Sequence, residues 1–379
     1  MGPIPYAKQS IDAADQQAVR EALAHPYLTT GPAIADFESA FAQYVDASYA
    51  VAVSSGTAAL HLCAKALEVG PESRALCPSL TFAASANCVL HEGGEIDFVD
   101  IDPQTGLMDI QLVEQKLKDA PPAYYSLIIA VDFAGFPYPM DKLRKLADQY
   151  GCKIIEDSCH APGAFYLSDQ GVAKSGNGAY ADLSIFSFHP TKHITTGEGG
   201  MITTRSQELY EKLLRLRNHG ICKDPERLQE QHGGWYYELQ DLGLNYRMTD
   251  VQARLGISQL KKVDGWMERR REIAETYRRA FENTTITCLE AAEGHAYHLF
   301  VIKHPERKRL YDYLRQEQIY CQVHYVPLHI HPLYKEKGWT KGDLPATEAY
   351  YDHCLSLPMY PTLSKEEQAF VIEKIQAFS

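Results

Sequence analysis

Residues 96–101, 127–133, 153–157 and 183–188 are short apolar runs, with helical patterns between them. A strand wetted on one face alternates apolar and polar residues. Strands covered on both faces read as nearly continuous apolar runs, as these do. Helices must then lie on each side of the sheet, because both of its faces are hydrophobic. The predicted fold class is α/β, with a mostly parallel sheet in a three-layer α/β/α arrangement. A chain of 379 residues has room for that unit and a second, smaller one.

Other elements join the same pattern. Pro32 opens a helix with Phe37, Phe41 and Tyr44 on one face. A strand over 49–54, a helix over 57–67 and another over 82–90 follow, with a late strand over 201–204. The character changes near residue 249. Thr249 and Gln252 have capping-box spacing, and one long helical pattern runs to about Glu282. Strands over 298–302 and 320–325 come next. A last helix, capped by Ser364 and Glu367, presents Phe370, Val371, Ile375 and Phe378. The expected domains are 1–248 and a smaller C-terminal α+β domain, 249–379. Residues 168–178 read as a surface loop.

Composition excludes several classes. A net charge of −12 speaks against nonspecific nucleic-acid binding, which needs a basic surface. The cluster Arg269-Arg270-Arg271, flanked by Glu268 and Glu272, reads as a solvated helix face. No apolar run is long enough to span a bilayer, and the N-terminus carries no signal core. Nine cysteines without CxxC or zinc spacing read as reduced thiols of a cytoplasmic protein, with no metal site.

Three segments carry chemistry. Ser55-Gly56-Thr57 joins a strand to a helix: glycine allows close backbone approach, and the first helical N–H groups face an anion. It also reads as an ordinary N-cap. Asp157 ends a strand, where a buried carboxylate needs a cationic partner; it equally reads as a cap for Ser158 onward. Lys192 sits in a loop from Ser187 to Gly200 that closes on glycines. A lysine desolvated at a sheet mouth can lose its proton and attack an aldehyde, as a Schiff base to pyridoxal 5'-phosphate (PLP) requires. The pyridinium nitrogen of PLP would be the cation for Asp157. Phe82 reads either as a ring stacked on the pyridine or as plain core.

Taken in order, these segments resemble the DegT/StrS type of nucleotide-sugar aminotransferases, which are fold type I PLP enzymes. The likeness runs through Leu28-Thr29-Thr30-Gly31-Pro32, Ser55 to Leu60, Glu156-Asp157, the Lys192 run and Arg217-Asn218-His219-Gly220. It continues in Gly243-Leu244-Asn245-Tyr246-Arg247-Met248 and Leu355-Ser356-Leu357-Pro358. The resemblance implies Lys192 as the catalytic lysine and proton shuttle, and Asp157 as the pyridinium partner. Ser55, Gly56, Thr57 and Ser187 would hold the phosphate, with Phe82 over the ring. His160 falls where a polar residue, more commonly glutamine, meets the PLP hydroxyl. Asn245 would reach the phosphate of a neighbouring subunit, so a homodimer with shared active sites is implied.

Further segments, Pro5-Tyr6, Asp132 to Gly135, Asp157 to Ala161 and Gln322 to Pro327, resemble the pseudaminic acid branch of that family. That likeness implies L-glutamate as amino donor and a UDP-linked 4-keto-6-deoxy-N-acetyl-hexosamine as acceptor, aminated at carbon 4. Tyr6, Tyr27, Leu28, Thr29, Gln322, Val323, His324 and Tyr325 would contact the nucleotide sugar. Residues 322–325 also read as an ordinary alternating strand. A perosamine-type transaminase and a non-catalytic binder of PLP or sugar are the alternatives.

Overall fold

The computed structural model of the chain describes residues 2–378. Seven strands form its central sheet, in the order Tyr49–Val53, Gly200–Thr204, Leu183–Ser187, Lys153–Asp157, Leu127–Val131, Arg74–Pro78, Glu95–Val99. Only Gly200–Thr204 runs against its neighbours; the other pairings are parallel. The strand Leu127–Val131 shows why its run has no alternation. Leu127, Ile129 and Val131 join the core beneath the helix Gly56–Ala66, whereas Ile128 and Ala130 pack on the opposite face with Leu143 and Ala147. Both faces are covered, so every position is apolar.

The helix Pro32–Val45 begins at its proline and buries Phe37 and Phe41 against Phe186 and Phe188. Its Tyr44 packs on the same cluster. Asp157 and Ser187 end adjacent parallel strands, with Asp157 in register with Ile185 and Ser187 with Gly200. Ligands of open α/β sheets collect at such strand ends.

The C-terminal part holds a three-stranded antiparallel sheet, Thr287–Cys288, Phe300–Lys303 and Cys354–Leu357. The helices Val263–Phe281, Arg307–Gln316 and Lys365–Ala377 pack with it around Ile302, Leu310, Leu355 and Val371. The N-terminal Ile4–Pro5 pairs with Ile319–Tyr320, so the first residues of the chain lie against this later unit.

Four expectations need correction. The cluster Arg269 to Arg271 is not a fully solvated face: Arg270 is buried and spends its guanidinium on the carbonyls of Tyr297 and Met359. The long helix after Thr249 is two, Asp250–Leu260 and Val263–Phe281, divided at Lys261 and Lys262. Both halves keep a helical apolar face, so periodicity alone hid the break. Residues 168–178 are not a plain loop: Phe165–Ser168 and Gly171–Lys174 form a hairpin, whose strands of four residues each are too short to show a period. Residues 320–325 are not a continuous strand. Pairing ends at Tyr320, Gln322 makes one bridge to Ser356, and His324 and Tyr325 turn inward.

Candidate functional site

At the strand ends lies a cavity of about 390 Å3. Tyr6, Ser55, Gly56, Thr57, Phe82, Asp157, His160, Ser187, Lys192, His324 and Tyr325 all line it. A larger cavity, about 640 Å3, opens beside Phe136, Tyr138 and Phe165 and contains none of these residues.

Each wall follows from local structure. Ser55 caps the helix Gly56–Ala66, accepting from Ala58 N at 3.0 Å. Its first turn faces Ser187: a Cβ on Gly56 would stand 2.9 Å from Ser187 Cβ and 3.3 Å from Cys159 Sγ. Glycine therefore leaves a cradle of backbone N–H groups and hydroxyls suited to a phosphate. The lysine loop is closed at its base by Phe188 N to Gly199 O at 2.9 Å and Thr196 N to Phe188 O at 3.0 Å. Lys192 N also bonds His189 O, at 2.8 Å. Burial lowers the proton affinity of the Lys192 amine, while Cys159 and the Asp157 carboxylate pull it back up. The net direction is down, which favours a free amine.

Asp157 is held from two sides. Ser85 donates to Oδ2 at 2.6 Å and Cys159 N donates to Oδ1 at 3.2 Å. Thr81 Oγ1 lies 2.9 Å from Ser85 Oγ, extending the chain of hydroxyls. This carboxylate is buried at 5% exposure, and among the described residues no Lys or Arg forms an ion pair with it, a setting that accepts a cationic ring nitrogen. On the far wall Tyr325 Oη lies 3.2 Å from His160 Nε2, and the Tyr6 ring centroid is 5.1 Å from that of His324. Burial and the Lys192 charge hold His324 neutral, its pKa down to about 3.

Six other candidates stand outside this cavity. Tyr27, Leu28 and Thr29 are exposed, Thr29 bridging to Thr249. Asn245 is exposed and bridges to Asn218. Gln322 is exposed, and Val323 packs into the cores on either side. The cavity also takes Thr81, Cys159, His189, Thr191 and Glu198, which sequence reasoning missed although three flank residues it chose and His189 and Glu198 stand in the lysine loop. Ser85 gave no such signal, since a serine in an apolar helix pattern is unremarkable.

The model of the DegT/DnrJ/EryC1/StrS aminotransferase family matches residues 9–376. The chain belongs to that family. It is a PLP-dependent sugar aminotransferase, with the mixed α/β fold and mostly parallel sheet of the family. Over 376 residues it is 36% identical to the UDP-4-amino-4,6-dideoxy-N-acetyl-beta-L-altrosamine transaminase of Campylobacter jejuni, covering 97% of this chain and 95% of that one. Helicobacter pylori PseC, an aminotransferase involved in the biosynthesis of pseudoaminic acid, superposes with a TM-score of 0.90 at 29% identity, covering 99% and 98% of the two chains. A putative sugar aminotransferase of Streptococcus pneumoniae in its PLP form gives 0.89 at 28% identity over 100% of both chains. Among the described residues no helix is long and apolar enough to cross a membrane.

Proposed function

We propose that this aminotransferase moves the amino group of L-glutamate to carbon 4 of a UDP-linked 4-keto-6-deoxy-N-acetyl-hexosamine, the acceptor of the pseudaminic acid pathway. The observation that carries the reading is the shared wall of Tyr6, His324 and Tyr325 facing Lys192. It supplies aromatic and polar groups where a sugar would meet the amine, and the Campylobacter relative bears the name of that activity.

The residues present fit PLP. Ser55, Gly56, Thr57 and Ser187 would hold its phosphate, Asp157 its ring nitrogen and Phe82 one face. His160, whose Nδ1 is buried without a partner, would lie toward the ring hydroxyl. When bound, PLP supplies an electron sink for the substrate carbon that loses or gains a proton. Lys192 does the rest. Its amine, favoured in the uncharged form by burial, takes the proton from the glutamate α-carbon and later delivers one to carbon 4 of the sugar. Asp157 keeps the ring nitrogen protonated, steadied by Ser85 and Cys159 N. Phe82 and Tyr325, whose ring centroids are 6.2 Å apart, narrow the mouth and limit water.

A homodimer completes the proposal. Asn245, Tyr27, Leu28 and Thr29 are exposed here, close in the fold through the Thr29–Thr249 bridge. Leu23, Trp235, Leu239 and Leu242 are also exposed, at 61–83%, apolar area that a second copy would cover. The nine unpaired cysteines suit the reducing cytoplasm, which is the proposed location. Turnover of paired keto sugars tests the substrate. The L-arabino compound should outpace its D-xylo epimer, because a misplaced hydroxyl leaves a buried partner unpaired at about 1–3 kcal/mol. Equal or faster turnover of the D-xylo epimer moves the reading to another nucleotide-sugar aminotransferase.

A further inference from the structure

Behind the cavity stand two imidazoles that the chemistry above does not use, His193 and His298. Both are buried at 3% exposure, and neither lines the pocket. The His298 ring centroid lies 4.2 Å from that of His160, with the planes 37° apart, and 5.6 Å from that of His193. Nδ1 of each of the three rings is buried with no hydrogen-bond partner. His193 is anchored through Nε2 to Ala296 O at 3.0 Å, and His160 through Nε2 to the Tyr325 hydroxyl.

We propose that His298 is a positioning residue: its ring packs at a tilt against His160 and holds that imidazole against Tyr325 at the pocket wall. A single hydrogen bond leaves an imidazole free to swing about its last torsion, and His160 has only one. The ring packed against it removes that freedom. Backbone holds the pair together. Ala296 N donates to Gly135 O at 2.8 Å and Leu299 N to Ala134 O at 3.1 Å, pressing the segment that carries His298 onto the turn below His160. Gly135, at φ +94, makes the approach possible, since a Cβ there would stand 2.7 Å from His160 O and 3.0 Å from His298 N.

Charge works in the same direction. Arg270 is buried at 1% exposure and donates to the carbonyls of Tyr297 and Met359, each at 3.0 Å, and among the described residues no carboxylate pairs with it. Around His160 stand Lys192, His324, His193 and the Tyr325 phenol; around His298 stand His160, Lys192, His193 and Arg270. Burial first, and positive charge at Lys192 and Arg270 second, hold these histidines well below the ordinary imidazole range. The packed rings therefore stay neutral and do not repel one another.

The test uses PLP-loaded enzyme without substrate and follows its visible absorption band against pH, beside thermal melting and kcat. His298→Ala should shift the midpoint of that titration by about half a pH unit or more and lower kcat about tenfold. His298→Phe, which keeps the ring and loses the nitrogens, should restore both. A His298→Ala protein that melts lower but titrates as the parent does overturns the proposal, as does a stably folded His298→Phe that restores nothing. If His298→Ala does not fold, His298→Leu replaces it with the same readings. The proposal rests on His160 facing the cofactor. That reading fails separately, if His160→Ala leaves the band and its midpoint unchanged.

Discussion

Ser85 Oγ lies 2.6 Å from Asp157 Oδ2, joining the helix Ala83–His91 to the end of the strand Lys153–Asp157. The serine uses its one hydrogen on the carboxylate, and the Thr81 hydroxyl at 2.9 Å supports it from behind. Asp157 is thereby aimed before any cofactor arrives, a preorganisation that costs nothing at the moment of reaction.

Removing that donor has a defined consequence. A hydrogen bond to a charged group contributes about 1.5–3 kcal/mol, so Ser85→Ala should lower stability in urea by that order. PLP should also dissociate more readily. A variant that unfolds with the parent and retains PLP equally well would show that Ser85 does not aim Asp157.

Lys192 should carry the covalent link to PLP. Borohydride reduction and peptide mapping should place the pyridoxyl label on Lys192, and Lys192→Ala should show negligible transamination. A label on another lysine would refute this assignment.

The same lysine predicts a pH effect on the cofactor-free protein. Its proton affinity is lower folded than unfolded, so the unfolded chain binds more protons and stability rises with pH across that window. Lys192→Met, which cannot charge, should melt above the parent at neutral pH. The gap should close as pH approaches about 10.4, the value of a free lysine. A parent that melts above the variant at pH 7 would contradict it.

Five buried histidines set the acid limit. His160, His193 and His298 are held well below the ordinary range by burial, and His295 and His324 at about 3. Below about pH 6.5 the unfolded chain takes up protons that the folded chain refuses, so stability falls as pH falls. Each histidine adds up to about 1.4 kcal/mol per pH unit. Urea titrations at pH 7 and 5.5 should diverge strongly; matching midpoints would mean these rings accept protons in place.

Mixing two inactive proteins tests assembly. Lys192→Ala chains and Asn245→Asp chains should each be inactive, the second through repulsion of the phosphate. Hybrids in which a Lys192→Ala chain lends its Asn245 should recover part of the activity. Proven subunit exchange with no recovery, or a fully active monomer, would reject the shared site.

The sequence by itself determined the layered α/β sheet and much of the pocket wall. Residues buried on both faces, as in Leu127–Val131, must all be apolar, and that constraint is written in the order of residues. Asp157 was legible because it ends an apolar strand, Gly56 because it opens a helix after one, and Lys192 because its loop closes on glycines. Tertiary structure alone decided the rest. Ser85 reaches Asp157 across 72 residues and His298 reaches His160 across 138, and no local periodicity marks a contact of that range. The turn at His324 and Tyr325 was equally hidden. Its alternation suits a strand, but the bonds His324 makes with Ser356 and Tyr325 with His160 hold both rings inward. Local patterns report which faces a residue must bury; the partner it meets there is settled only when distant elements close.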